Sequence, residues 1–226
     1  MPDFPNRPDR LPDWLEERAV DDAAFEKAYE SLGAEGRARF KHALATLHAF
    51  WGERDEHRRE SRDFRQGFRV EGEDAPAPYA LFFCDAEYDH PELLLAALMP
   101  AVLAGCPLIL PCFIPAKADP ATPLLAALEL AGVEGAFRLS PLEASKLPAE
   151  LGETHKRGRV IVLGRPSVTD VLILDATRRD IPCREVFADS TDFTADADHE
   201  HIHILPDLGP DWFRNRRLRL STLPEE

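Results

Sequence analysis

A chain of 226 residues with 44% hydrophobic content is long enough for one substantial core, or for a core with a helical annex. Its net charge of -14 excludes nonspecific attachment to nucleic acid or to an anionic membrane, because both need clustered positive charge to displace counterions. The longest uncharged apolar run, Leu93 to Ile114, has the length of a membrane span, but Pro100, Gly105, Pro107 and Pro111 interrupt it.

The first fourteen residues hold four prolines among alternating charges, which suits an extended surface arm. They contain no apolar signal core, so the expected compartment is the cytoplasm. Two helices follow. Phe25, Tyr29 and Leu32 fall at helical spacing in Asp22 to Leu32, and Phe40, Leu44, Leu47 and Trp51 repeat the stripe in Arg37 to Trp51. With Gly33 and Gly36 between them, they predict an αα-hairpin. Glu53 to Asp74 carries eight acidic residues and six arginines, and this density predicts a solvated connection. The chain thus divides into residues 1–74, an arm with helical hairpin and charged linker, and 75–226, an α/β domain with an acidic C-terminal segment.

Beyond Pro78 the pattern changes. Tyr79 to Cys84 is a continuous apolar run, as in a strand buried on both faces. Pro91 to Leu103 is a helix with proline in its first turn and Gly105 past its end. Leu108 to Phe113 is a second strand, in which Pro111 signals an edge or a bulge. Pro120 to Ala131 is a helix, Ala136 to Leu139 a strand, Leu142 to Leu151 a helix interrupted by Pro148, and Arg159 to Leu163 a fourth strand. Val171 to Asp175, VLILD, is expected as a fifth. In the tail, Ile202 to Leu205 and Arg217 to Leu220 alternate as half-exposed strands do. Short apolar strands alternating with helices predict an α/β fold: a Rossmann-like, three-layer, mostly parallel sheet with an N-terminal helical hairpin annex.

Two stretches carry a resemblance. In Tyr88 to Cys106 a tyrosine precedes an apolar helix bounded by Pro91 and Pro100 and closed by Ala104 and Gly105. In Pro120 to Arg138, PATPLLAALELAGVEGAFR, a helix ends in Leu-Ala-Gly-Val before a strand with an arginine near its end. Together they resemble the first nucleotide-binding domain of histidinol dehydrogenase, within the aldehyde-dehydrogenase-like class. The resemblance implies NAD as cofactor, Tyr88 and Pro91 as cofactor-facing residues, and a site at the carboxyl ends of the strands near Asp85, Glu87, Tyr88, Phe113 and Ser140.

The departures bear on activity. Where the family has one Gly-Gly pair this chain has Cys84, Asp85, Ala86 and Glu87, and Ser140 and Pro141 replace a second pair. Glycines there would admit a dinucleotide, whereas Asp85 and Glu87 would repel its pyrophosphate. Near Gly164 a glycine-proline-serine stretch matches the family, but Val168 stands at its acidic position. No catalytic residue carries over. The expectation is a domain of this type without dehydrogenase catalysis, holding a small nucleotide-like ligand beside Tyr88, Pro91 and Ser140.

Other clusters support rival readings. His199, His201 and His203 would share one face of a strand and could converge on zinc, but residues two apart on a strand rarely all reach one ion, and a polar edge strand is the preferred reading. A calcium loop starting at Asp196 fails, with His201 at the turn glycine. The eight acidic residues from Glu185 to Asp211 read as a solvated face, balanced by Arg214, Arg216, Arg217 and Arg219 or leaving those arginines for a phosphate. Cys84, Cys106, Cys112 and Cys183 lack CxxC spacing and read as buried thiols. No serine-hydrolase elbow, zincin motif or P-loop is present. Besides the ligand-binding domain, two readings stay open. One is a non-catalytic interaction protein or homo-oligomer anchored by Phe40, Leu44, Leu47, Phe50 and Trp51. The other is a metal-dependent enzyme using the His199–His203 cluster.

Overall fold

The computed structural model describes residues 11–52, 57–85, 88, 90–117, 119–133, 135–155, 157–164, 168–186, 193–197 and 200–222. Helices α1 (Asp13–Glu16), α2 (Asp22–Ser31) and α3 (Gly33–Trp51) come first, then strands β1 (Arg58–Phe64), β2 (Phe68–Pro76) and β3 (Ala80–Asp85). Next are α4 (Pro91–Leu103), β4 (Ile109–Ile114), α5 (Thr122–Leu130), β5 (Phe137–Arg138), α6 (Pro141–Thr154) and β6 (Arg159–Leu163). The chain continues through α7 (Thr169–Arg178), β7 (Cys183–Val186), β8 (Phe193–Ala197), β9 (Glu200–Ile204), two short 3-10 turns and β10 (Arg214–Thr222).

Five strands form a parallel sheet in the order β5-β4-β3-β6-β7. The first crossovers run outward from β3 through β4 to β5, and the chain then returns to place β6 on the other side of β3. The order therefore reverses between β3 and β6, where open α/β sheets leave a crevice at their carboxyl ends. Alternation along β3 feeds two cores. Ala80, Phe82 and Cys84 face a layer containing α2, α3, α4 and α5, while Leu81 and Phe83 face α6 and α7. The three-layer expectation is met.

The N-terminal helices are less an annex than a cover. α2 packs chiefly on α5 and α3 on α4, with only slight contact between α2 and α3. Phe40 and Leu47 are fully buried there, so the helical stripe is consumed by the chain's own core; only Phe50 of the five expected anchors stays largely exposed. Just ahead of α2, Val20 N donates to Ala136 O and Arg138 N to Arg18 O, which covers the short β5 edge. Because β5 reaches only Cys112 and Phe113, Pro111 sits where β4 is locally an edge, and its missing N–H costs no ladder bond.

Three expectations are corrected. Of the expected connection at 53–74, residues 53–56 lie outside the described residues and the rest is not bare, because β1 and β2 pair antiparallel from Arg58–Asp74 to Phe64–Phe68; β2 pairs on its other side with β10. Opposite charges facing each other across strands, as at Arg59 and Glu73, let a charged sequence form a sheet without an apolar core. Val171 to Asp175 is not a strand but part of α7: Leu172 and Ala176 are buried four residues apart while Val171 and Leu174 are about half exposed, a helical rather than strand-like burial pattern. The fifth strand is β7. Finally, α6 runs unbroken through Pro148 to Thr154.

Two buried arginines join the three-stranded ribbon β1-β2-β10 to the amino end of the parallel sheet. Arg159, at the start of β6, donates to the carbonyls of Trp212, Arg214, Arg157 and Gly158 and to Asn215 Oδ1. Arg214 donates to Asp74 Oδ1 at 3.1 Å, to Asp74 O and to Ala104 O at the end of α4. Nearby, a Cβ on Gly158 would lie 2.1 Å from the buried Tyr79 ring. Gly158→Ala is therefore expected to destabilise the protein by about 1–3 kcal/mol through overpacking, measured by urea unfolding; an unchanged midpoint would refute the contact.

Candidate functional site

The switch point is built from the ends of β3 and β6. β3 delivers Cys84 and Asp85, and a turn closed by Tyr88 N donating to Asp85 O at 3.0 Å places Tyr88 above them. β6 ends at Leu163, and Gly164 follows with φ +74, a left-handed conformation that favours glycine. The Tyr88 ring lies against this glycine: a Cβ there would stand 3.0 Å from Tyr88 Cδ2 and 3.5 Å from Asp85 Cβ. Tyr88 is only 6% exposed, and its ring packs edge-on to His90, with centroids 5.4 Å apart.

Burial, with a smaller contribution from Cys84, pushes the Tyr88 hydroxyl well above the ordinary phenol range. It finds no hydrogen-bond partner among the described residues. Burial likewise raises the thiol of Cys84, which is fully enclosed. Among its described residues the site thus offers a neutral phenol and a neutral thiol beside Asp85, a poor setting for a pyrophosphate, while Glu87 lies outside the described residues.

Pro91 is the first residue of α4 and is buried at the same end of the sheet. Ser140 is at the carboxyl edge too, but it follows β5, two strands from β3. Its hydroxyl is engaged in a capping box on α6, donating to Glu143 Oε2 at 2.6 Å and accepting from Glu143 N at 3.3 Å. Glu143 also accepts from Arg18 Nε at 2.7 Å. Burial raises the Glu143 carboxyl, but the bonds from Ser140 and Arg18 more than offset it and hold it below its ordinary value of 4.5. Sequence reasoning placed Ser140 at the right end of the sheet and missed Gly164 as the surface that receives Tyr88; the signal was present in a tyrosine after one strand and a glycine after a neighbouring one.

The other expected clusters have different outcomes. His199 and the side chain of His201 lie outside the described residues, and β9 carries His203 opposite Thr194 of β8. Among the described residues no three His, Cys, Asp or Glu side chains are grouped to hold a metal. Cys84, Cys106 and Cys112 are buried, Cys183 is half-buried, and all four are free thiols. Burial pushes Cys106 up to about 12 and Cys183 up to about 11, so none is a poised thiolate. Of the tail arginines, Arg214 is buried and committed to Asp74. A cavity of about 120 Å³ opens at the carboxyl end of β7, lined by Val186, Leu205 and Leu208 with Arg184 and Asp207, two strands away from Tyr88. No helix among the described residues is long and apolar enough to cross a membrane.

No family model and no curated protein matches the sequence. Solved structures do match the fold. Histidinol dehydrogenase from Elizabethkingia anophelis aligns with 79% of this chain at 16% identity and a TM-score of 0.58, and lactaldehyde dehydrogenase from Escherichia coli with 76% at 14% and 0.47. The chain spans only 41% of the first and 40% of the second. At these identities the likeness is one of fold, and the TM-score of the second is too low to argue from. The expected scaffold, similar to part of histidinol dehydrogenase, is observed.

Two outcomes test these local roles. Ser140→Ala is expected to cost about 1 kcal/mol of stability through the lost cap, measured by chemical denaturation. Because the folded-state value of Glu143 is lowered, its contribution is complete above 4.5 and is lost as pH falls through the folded-state value. The stability difference between the parent and Glu143→Gln should therefore shrink on acidification. A difference that grows would reverse the sign.

Proposed function

We infer that this chain is a non-catalytic interaction protein built on a dehydrogenase-type scaffold. The observation that supports this reading is the Tyr88 ring lying on Gly164 at the switch point, in the space above β3 and β6 where open α/β sheets seat a ligand. Three features of the sequence agree with it. Asp85 adds negative charge where a pyrophosphate would come, Cys84 supplies a neutral buried thiol in place of a glycine, and Ser140 is occupied as a helix cap. Under this reading the fold is retained for its packing, and the work is done by the surface.

A specific observation favours a second reading, in which a small ligand sits beside Tyr88. The buried Tyr88 hydroxyl has no partner among the described residues, which is costly, and a ligand acceptor would satisfy it. Asp85 makes a neutral or cationic ligand the better fit than an anionic one. Pro91, at the start of α4, and Ser140 would then border the site rather than bond to it.

Thermal unfolding with and without millimolar NAD and NADP separates the readings. The interaction reading expects no shift from either nucleotide, and a rise of several degrees that saturates would overturn it. Tyr88→Phe adds a second arm. With no ligand, removing an unsatisfied hydroxyl should leave stability unchanged or raise it by about 1 kcal/mol. If protein purified from cells carries a ligand on that hydroxyl, the same change should lower its melting temperature.

A further inference from the structure

The parallel sheet has two edges, and the chain treats them differently. Residues 18–20 cover β5, with Ala19 bridged antiparallel to Phe137. At the other end β7 is last in the order, and none of the described elements pairs with its outer side. The register fixes what that side carries. Val160 N donates to Pro182 O and Gly164 N to Val186 O, while Cys183 and Glu185 stand opposite Val160 and Val162. Main-chain groups alternate in direction along a strand, so Arg184 and Val186 turn theirs toward β6. Cys183 and Glu185 therefore turn their N–H and C=O groups outward, a row that none of the described strands pairs.

The cavity of about 120 Å³ lies beside this row, on the α4 side of β7. Val186, Leu205 and Leu208 floor it, and all three belong to the core layer that contains α4; Arg184 and Asp207 stand at its rim. A space of this size takes one aliphatic side chain of roughly three or four carbons. We propose that the β7 edge binds an extended basic peptide of another protein, which adds a strand to the sheet and places one aliphatic side chain in the cavity. Main-chain pairing along Cys183 and Glu185 supplies the affinity, and the cavity supplies the selectivity.

Charge selects the partner. From Glu185 to Asp211 the chain carries eight acidic residues and no lysine or arginine, within a net charge of -14. Glu185 is exposed, and strand alternation puts its side chain on the opposite side of β7 from Val186 and the cavity. A peptide that alternates aliphatic with cationic residues sets the first over the cavity and the second beside Glu185. The same acidity opposes a second copy of this chain at the edge, since two β7 strands would bring two acidic segments together.

The peptide site rests on the interaction reading given above and fails separately from it. A probe that does not bind overturns the peptide site and leaves that reading standing, whereas a saturating NAD shift overturns the reading whatever the probe does. The test is fluorescence anisotropy of a labelled Lys-Val-Lys-Val-Lys-Val peptide titrated with the full chain. Saturable binding in the micromolar range is expected, and the Glu-Val-Glu-Val-Glu-Val counterpart should not bind. Glu185→Pro removes the outward N–H without touching a bond to β6, and should weaken binding by about tenfold or more with an unchanged circular dichroism spectrum. Glu185→Gln keeps that N–H and should weaken binding less. Two N-methylated probes, one modified at its valines and one at its lysines, block opposite edges of the peptide, so one should fail and the other bind. A lysine probe that does not bind, a glutamate probe that binds equally well, methylated probes that behave alike, or a folded Glu185→Pro variant that binds as tightly as the parent would overturn the proposal. So would a dimer in sedimentation velocity that Glu185→Pro abolishes, because a second copy would then be the occupant. The methylated probes leave the protein unaltered, so their result does not depend on any variant's folding.

Discussion

Two buried guanidinium groups hold this molecule's parts in one arrangement. Burying a charge is expensive unless its hydrogen-bonding capacity is met, and here it is met almost entirely by main-chain carbonyls. Among the described residues Arg159 has no carboxylate partner; it gathers the carbonyls of residues 157, 158, 212 and 214 and lies over the Trp212 ring, 5.4 Å from the centroid. Burial lowers its tendency to stay protonated, yet a guanidinium begins so high that the charge persists. Arg214 completes the join by linking the same segment to Asp74 in β2 and to the end of α4. Through these two residues the ribbon, the first βα unit of the sheet and the C-terminal segment share a single junction.

That junction separates two ends of the sheet with different roles. At the amino end the two guanidinium groups are held by carbonyls, Asn215 and Asp74, and the ribbon joins the sheet there. At the carboxyl end, where ligands enter this architecture, a tyrosine and a glycine from neighbouring strands meet instead. Ordinary packing explains both the burial of Tyr88 and the absence of a side chain at Gly164. The Tyr88 phenol oxygen is left without a partner among the described residues, and packing does not explain it.

The sheet was legible because its strands are buried on both faces and its helices carry proline at the start and glycine past the end; Tyr79 to Cys84, Pro91 to Leu103 and Arg159 to Leu163 each read directly. The failures share a cause. VLILD at Val171 to Asp175 is short and apolar enough to fit either period, and only burial of Leu172 with Ala176 reveals a helix. The ribbon was hidden because its pairing is nonlocal: β10 joins β2 across more than 130 residues, and charges that looked solvated find their opposites only after that pairing. The same applies to the site. Tyr88 and Pro91 were placed correctly at the carboxyl end, while Gly164 acquires meaning only once β6 lies beside β3, and the cap that occupies Ser140 depends on Glu143 three residues on.

The central claim is that a dehydrogenase-type scaffold here keeps its switch point closed by its own side chain. It is tested most directly by a crystal structure of the full chain grown with millimolar NAD. The expected electron density shows the Tyr88 ring against Gly164 and no dinucleotide above the ends of β3 and β6. A dinucleotide bound there with the Tyr88 ring swung away from Gly164 would contradict the claim.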